Sequence, residues 1–190
     1  MSLWTQPIAM RALVLAVIAA AFAVLGLYAV PLPENVDLAH VLFWIVVTLI
    51  ASAQPVYLPR GVNVSVNSAP LIAALFDAAL PRPLAPLLIA AIGTLQLRDI
   101  RHELPFYGTL YNRATFVLSV YAGWLAILVT GGPLANVDPF VIVPQLFVAG
   151  LAYSLTNQMI ASAAASTART SARMAIGWVQ RLMAWRRIGR

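Results

Sequence analysis

Cysteine is absent from this 190-residue chain, and so is lysine. The first absence excludes disulfides, thiolate metal sites and a cysteine nucleophile. The second leaves arginine as the carrier of all twelve positive charges. Charge of either sign is scarce, at 9% of residues, where soluble domains average about 25%. A water-soluble protein of this length could not surround its core with so few charges. The sequence also lacks a phosphate-binding loop, a His-Glu-x-x-His helix and a Gly-x-Ser-x-Gly elbow. With no acid–base or metal constellation in view, catalysis by this chain alone is not expected, and no cofactor is implied.

What the chain has instead is apolar length. Hydrophobic residues make up 62% and fall into runs separated by short polar segments. A bilayer crossing needs about 20 apolar residues. The first candidate runs from Ile8 to Val30. Its core is too long for a signal peptide, so it reads as a retained span. The turn Pro31 to Asp37 follows, with Asp37 able to cap the next helix. The second span covers Leu38 to Ala53. Residues 56–67 then alternate apolar and polar at Val62, Val64 and Val66, a strand-like period. A lone strand cannot sit in lipid, so this segment is interfacial or lines a cavity.

Ser68 offers a cap for the third apolar run, Ala69 to Leu80. At 1.5 Å per residue that run reaches only about 18 Å, short of a hydrocarbon core about 30 Å thick. It is either re-entrant or completed by the polar segment before it. The remaining spans are Leu84 to Leu97, Arg113 to Val129 and Phe140 to Ala165, with Pro144 a candidate kink. Between the fourth and fifth lie a charged loop and an aromatic, polar stretch from Phe106 to Asn112 that suits an interface.

Six arginines fall in the last 22 residues: Arg169, Arg173, Arg181, Arg186, Arg187 and Arg190. Interleaved with Met174, Ile176, Trp178, Leu182 and Trp185, they read as a basic amphipathic helix on an anionic membrane surface. Because this basic end directly follows an apolar span, lipid is the expected partner and nucleic acid is not. The arginine-rich loops alternate with poorer ones, which puts both termini in the cytoplasm by the positive-inside rule. The fold class is therefore an all-α integral membrane protein with about six transmembrane helices, the third short or re-entrant. Residues 1–167 form the bundle and residues 168–190 a cytoplasmic basic tail.

Candidate ligand-binding residues are the polar ones inside or beside the spans: Arg60, Asp77, Asn112, Arg113 and Asn157. A carboxylate within an apolar run marks a functional site by default. Asp77 also stands four residues before Pro81, close enough to the end of its run to reach the interface or Arg82. Asn157 lies deep in the sixth span, where amides commonly bond to a neighbouring helix or line a cavity. His40, at the edge of the second span, reads as interfacial rather than as a pigment or haem ligand.

Four stretches carry a resemblance: Leu58-Pro-Arg-Gly-Val-Asn-Val-Ser65, Leu84 to Leu95 with Gly93, Tyr111-Asn-Arg-Ala-Thr-Phe-Val-Leu-Ser119, and Leu151-Ala-Tyr-Ser-Leu-Thr-Asn157. In order and spacing they resemble the multi-pass membrane region that precedes HD-GYP or GGDEF output domains in bacterial signalling proteins. Leu80-Pro-Arg-Pro83 departs from that family's Gly-Pro between the third and fourth spans. The resemblance implies a sensory or anchoring module of the bacterial inner membrane, with an output domain or partner subunit on the cytoplasmic side. A homodimer is a further arrangement. The small, basic, six-span outline is also similar to the substrate-binding subunits of energy-coupling-factor vitamin transporters. An accessory subunit of a larger membrane complex is a third alternative.

Overall fold

A computed structural model describes residues 3–29, 37–58, 62–96, 105–131 and 139–188. The chain is helical, with a single two-stranded hairpin among the described residues. In order come α1 (Ile8–Ala29), α2 (Leu38–Ser52), β1 (Pro55–Leu58), β2 (Val62–Ser65), α3 (Ser68–Phe76), α4 (Leu84–Gly93), α5 (Phe106–Val129) and α6 (Pro139–Ile188). Three helical stretches are long and apolar enough to cross a membrane: α1, α5 and residues Phe140–Thr170 of α6. α2 and α4 are apolar but shorter. At nine residues, α3 reaches only about 14 Å.

α2 begins where local chemistry predicts, whereas α3, α4 and α5 differ from their expected bounds of Ala69 to Leu80, Leu84 to Leu97 and Arg113 to Val129. Asp37 caps α2 by accepting from the amides of Ala39 at 3.0 Å and His40 at 3.2 Å. The third run is capped differently from expectation. Ser68 is already helical, Asn67 holds the cap position, and its side chain makes no cap bond. α5 starts at Phe106, so the aromatic stretch expected at the interface is the first two turns of that helix. Gly131, just past its C-terminus, has φ of +120°, a conformation that a side chain disfavours. From α6, the Gln145 amide donates to the Thr130 carbonyl at 3.1 Å and satisfies one of the last acceptors of α5.

Residues 62–65 are not a lone strand. They pair antiparallel with Pro55–Leu58, Val56 facing Val64 and Tyr57 facing Asn63, so each strand supplies the other's backbone partners. The basic stretch after Ser166 is not set off by a break either. α6 is one helix of 50 residues with Pro144 inside it, and the compositional boundary at 167/168 falls in its interior.

Burial follows position in the bundle. α4 is enclosed almost all round, with Leu84, Ala85, Leu87, Ile89 and Ala90 each at most 6% exposed. α3 buries Leu71, Ala74 and Leu75 completely. α2 buries only Val41, Ile45, Thr48 and Ser52, a stripe at helical spacing, and exposes Leu38, Leu42, Phe43, Val46 and Ile50. α1 likewise buries Val14, Val17 and Ala21 and turns Leu15, Phe22 and Leu27 outward. α4 and much of α5, which buries Ala114, Val117, Val120, Gly123 and Ile127, thus lie inside, while α1 and α2 turn an apolar face outward, a surface that suits lipid around a protein-filled centre. Helices too short to cross hydrocarbon are tolerated where protein surrounds them.

Hydroxyls inside apolar helices are satisfied one turn back. Thr48 donates to the Trp44 carbonyl at 2.8 Å, Thr115 to Tyr111 at 3.0 Å and Ser119 to Thr115 at 2.8 Å. Two contacts draw the layers unusually close. A Cβ on Gly93 would lie 2.8 Å from the Thr48 Cβ, and one on Gly123 would lie 3.3 Å from the Ala149 carbonyl oxygen. Glycine therefore sets the approach of α2 to α4 and of α5 to α6.

Candidate functional site

The most concentrated polar chemistry lies in the turn between α3 and α4. Asp77 follows the last residue of α3, and three donors converge on it. His40 Nε2 lies 2.5 Å from Oδ2, and Trp44 Nε1 donates to the same oxygen at 2.7 Å. The Ala79 amide donates to Oδ1 at 2.9 Å. The Asp37 cap fixes where α2 begins, which puts His40 in its first turn and Trp44 one turn on, on the same face. The carboxylate is 20% exposed and the imidazole 35%, so the pair sits at the rim of the bundle. Arg82 adds positive charge near enough to act on Asp77.

Asp77 therefore joins the α3–α4 turn to the start of α2, and its oxygens are accepting rather than free. The site is suited to holding two elements in register through one charged hub, in a place partly open to solvent. The expected alternative of Arg82 as direct partner gives way to His40 and Trp44. Neither of those was singled out as a partner of Asp77 from the sequence. The available signal was their i, i+4 spacing on α2, which places an imidazole and an indole N–H side by side.

Asn112, Arg113 and Asn157 lie towards the opposite end of the bundle. Arg113 donates from a terminal nitrogen to the Ala91 carbonyl at 3.3 Å, near the C-terminus of α4, where a cation complements the helix dipole. Its Nε is buried without a hydrogen-bond partner. The Tyr111 hydroxyl donates to the Ile160 carbonyl at 3.0 Å. That bond brings the turn of α5 bearing Asn112 and Arg113 level with the part of α6 bearing Asn157. Asn157 is half-buried, one turn along from the buried Tyr153. The five candidates thus do not converge on one pocket: Asp77 belongs to one end, and Asn112, Arg113 and Asn157 to the other. Arg60 lies outside the described residues.

At that same end, Gln6 donates to the Tyr107 hydroxyl at 3.4 Å, and Arg11 stacks over the Trp4 ring at 5.9 Å. Of the basic tail, Arg169 is exposed. Arg173, Arg181, Arg186 and Arg187 fall on the backbone of α6, and Arg190 lies outside the described residues. No group of three or more potential metal ligands occurs among the described residues. Comparison with protein-family models, with curated proteins and with solved structures gives no match.

Proposed function

We propose that the chain is a membrane-embedded sensory or anchoring module of a bacterial signal-transduction protein, non-catalytic by itself. In this reading it crosses the inner membrane six times, with both termini in the cytoplasm. Successive helices run in alternating directions, and α3 and α4 supply two short crossings packed against the other helices. The four sequence stretches similar to the membrane regions of HD-GYP and GGDEF proteins favour the same reading.

The observation that carries the proposal is the unbroken length of α6. Its 50 residues extend about 75 Å, against about 45 Å for a bilayer with its headgroups. Roughly its first 31 residues have the character of a span. The remainder leaves the bilayer as the same helix and carries four arginines. A continuous rod of this kind conveys a shift in the bundle to whatever it meets in the cytoplasm. The Asp77 hub, at the far end, ties α2 to the α3–α4 turn and is the point at which we place the start of such a shift. Any signal requires an input with different affinity for two helix arrangements.

The test uses the absence of native cysteine. Spin labels on Ala12→Cys in α1 and Ala165→Cys in α6 report their separation in lipid nanodiscs. Weakening the hub with Asp77→Asn is expected to move the most populated distance by about 2 Å, the scale of helix shifts in switching proteins. Superimposable distributions from a folded variant would count against transmission through α6. The outline shared with vitamin-transporter subunits motivates the second reading, which recovery of a stoichiometric ATPase pair with the native chain would favour.

A further inference from the structure

A cleft of about 260 Å³ lies between α1, α4 and α5. Its walls include Ile18, Phe22, Leu25, Ile92 and Leu110, and Arg113 is the one polar residue of its lining. Phe22 is 59% exposed and Ile92 44% exposed, so the cleft opens through the outer, apolar surface of the bundle rather than into its centre. Arg113 stands on the second turn of α5, about 10 Å in from the start of that helix. It therefore lies seven residues inside the apolar stretch Phe106–Val129, where a long arginine side chain can extend along the cleft toward the headgroup level.

The guanidinium carries five N–H donors. Among the described residues one bond is made, to the Ala91 carbonyl, and Nε has no partner. Nε is closed off, but capping α4 leaves donors on the two terminal nitrogens unspent, in apolar surroundings where an unpaired cation is costly. A ligand that fits has two parts: an anion offering several oxygens in the plane of the guanidinium, and an alkyl chain to cover the apolar walls. Arginine engages phosphate oxygens in this bidentate way.

We infer that this cleft is a binding site for one anionic phospholipid, its phosphodiester on Arg113 and one acyl chain against Ile18, Phe22 and Ile92. The site is separate from the Asp77 hub. It requires the bundle to be in a bilayer but not that α6 transmit a signal. A purely structural Arg113 would hold α4 and show no headgroup preference.

The test is native mass spectrometry of the full chain released from micelles, titrated with phosphatidylglycerol and phosphatidylcholine of identical chains. The first bound lipid is expected to be phosphatidylglycerol, preferred by about fivefold, because both lipids bring the phosphodiester but the choline cation of phosphatidylcholine offsets about 1 kcal/mol of its attraction to the guanidinium. Arg113→Gln should bring that ratio to about one, and Arg113→Lys, which keeps the charge and guards against a misfolded Gln variant, should retain at least about twofold. Ala91→Leu, which narrows the cleft, should weaken retention of both lipids. Replacing the tail arginines from Arg169 onward with glutamine should leave the preference of the first site intact. The inference is overturned if the wild-type chain shows no preference, if Arg113→Gln keeps it, or if the tail substitutions alone remove it. It is equally overturned if a free fatty acid displaces the phospholipid at equal concentration. Retention of no lipid at all would overturn it together with bilayer embedding, whereas equal retention of both lipids overturns the site alone.

Discussion

Gly93→Ala is expected to destabilise the bundle by about 2 kcal/mol, and Gly93→Val to prevent recovery of a monodisperse folded chain. Gly93 is the last residue of α4 and is buried. The new Cβ would lie 2.8 Å from Thr48 Cβ, 3.1 Å from Thr48 Cγ2 and 3.3 Å from the Ile45 carbonyl oxygen. Two of these neighbours, a Cβ and a backbone carbonyl, cannot swing aside. Parting the helices would also stretch the 3.2 Å bond from Ser52 Oγ to the Gly93 carbonyl. Without a strong hydrophobic drive between helices in lipid, close packing carries much of the association. Thr48→Gly on the Gly93→Ala background should recover part of the loss, less about 1 kcal/mol for a glycine inside α2. Unfolding by sodium dodecyl sulfate titration reads both effects. Equal midpoints for wild type and Gly93→Ala, or no recovery in the double variant, would contradict the close approach.

The second large effect belongs to Asp77. Asp77→Ala strands the Trp44 indole N–H and the Ala79 amide and removes the partner of His40. Bonds to a charged acceptor contribute about 1.5–3 kcal/mol each when buried. The partial exposure of this hub lowers that figure, so the expected loss is about 2 kcal/mol overall. Asp77→Asn has a single oxygen to offer and should lose about half as much, while Trp44→Phe should lose about 1 kcal/mol. The residues act as one unit, so Asp77→Ala combined with Trp44→Phe should cost less than the sum. The same detergent titration checks these values. Additive losses, or an Asp77→Ala midpoint within error of wild type, would remove the hub from the account.

How much of this could be read in advance depended on what kind of order each feature needed. α1, α5 and the apolar part of α6 were legible because length and hydropathy are local properties. Asp37 as the cap of α2 was legible for the same reason. Alternation disclosed β2, but its partner Pro55–Leu58 has no alternation, so the hairpin was invisible. The enclosure of α4 was hidden, because a helix facing lipid and one enclosed by other helices are equally apolar. The aromatic, polar stretch Phe106 to Asn112 reads as interface, yet it forms the first turns of the helix, and Tyr111 and Thr115 bond within the bundle. The Asp77 hub joins residues 37 positions apart, which no periodicity reports. Asn112, Arg113 and Asn157 were found as polar residues in apolar runs, but only the packing separates them from Asp77. The close approach at Gly93 has no sequence signature beyond a glycine at a helix end.

Apolar helices that cross a bilayer in alternating directions, as proposed above, place the turns between them on opposite sides in sequence. Since the chain has no cysteine, single cysteines at Gln54, Ala79, Ala90 and Thr130 can be challenged in sealed vesicles with a membrane-impermeant maleimide. Gln54→Cys is expected to react from one side, Ala79→Cys and Thr130→Cys only from the other, and Ala90→Cys only after unfolding. Labelling of positions 54 and 79 from the same side, or of position 90 in the intact membrane, would contradict that arrangement.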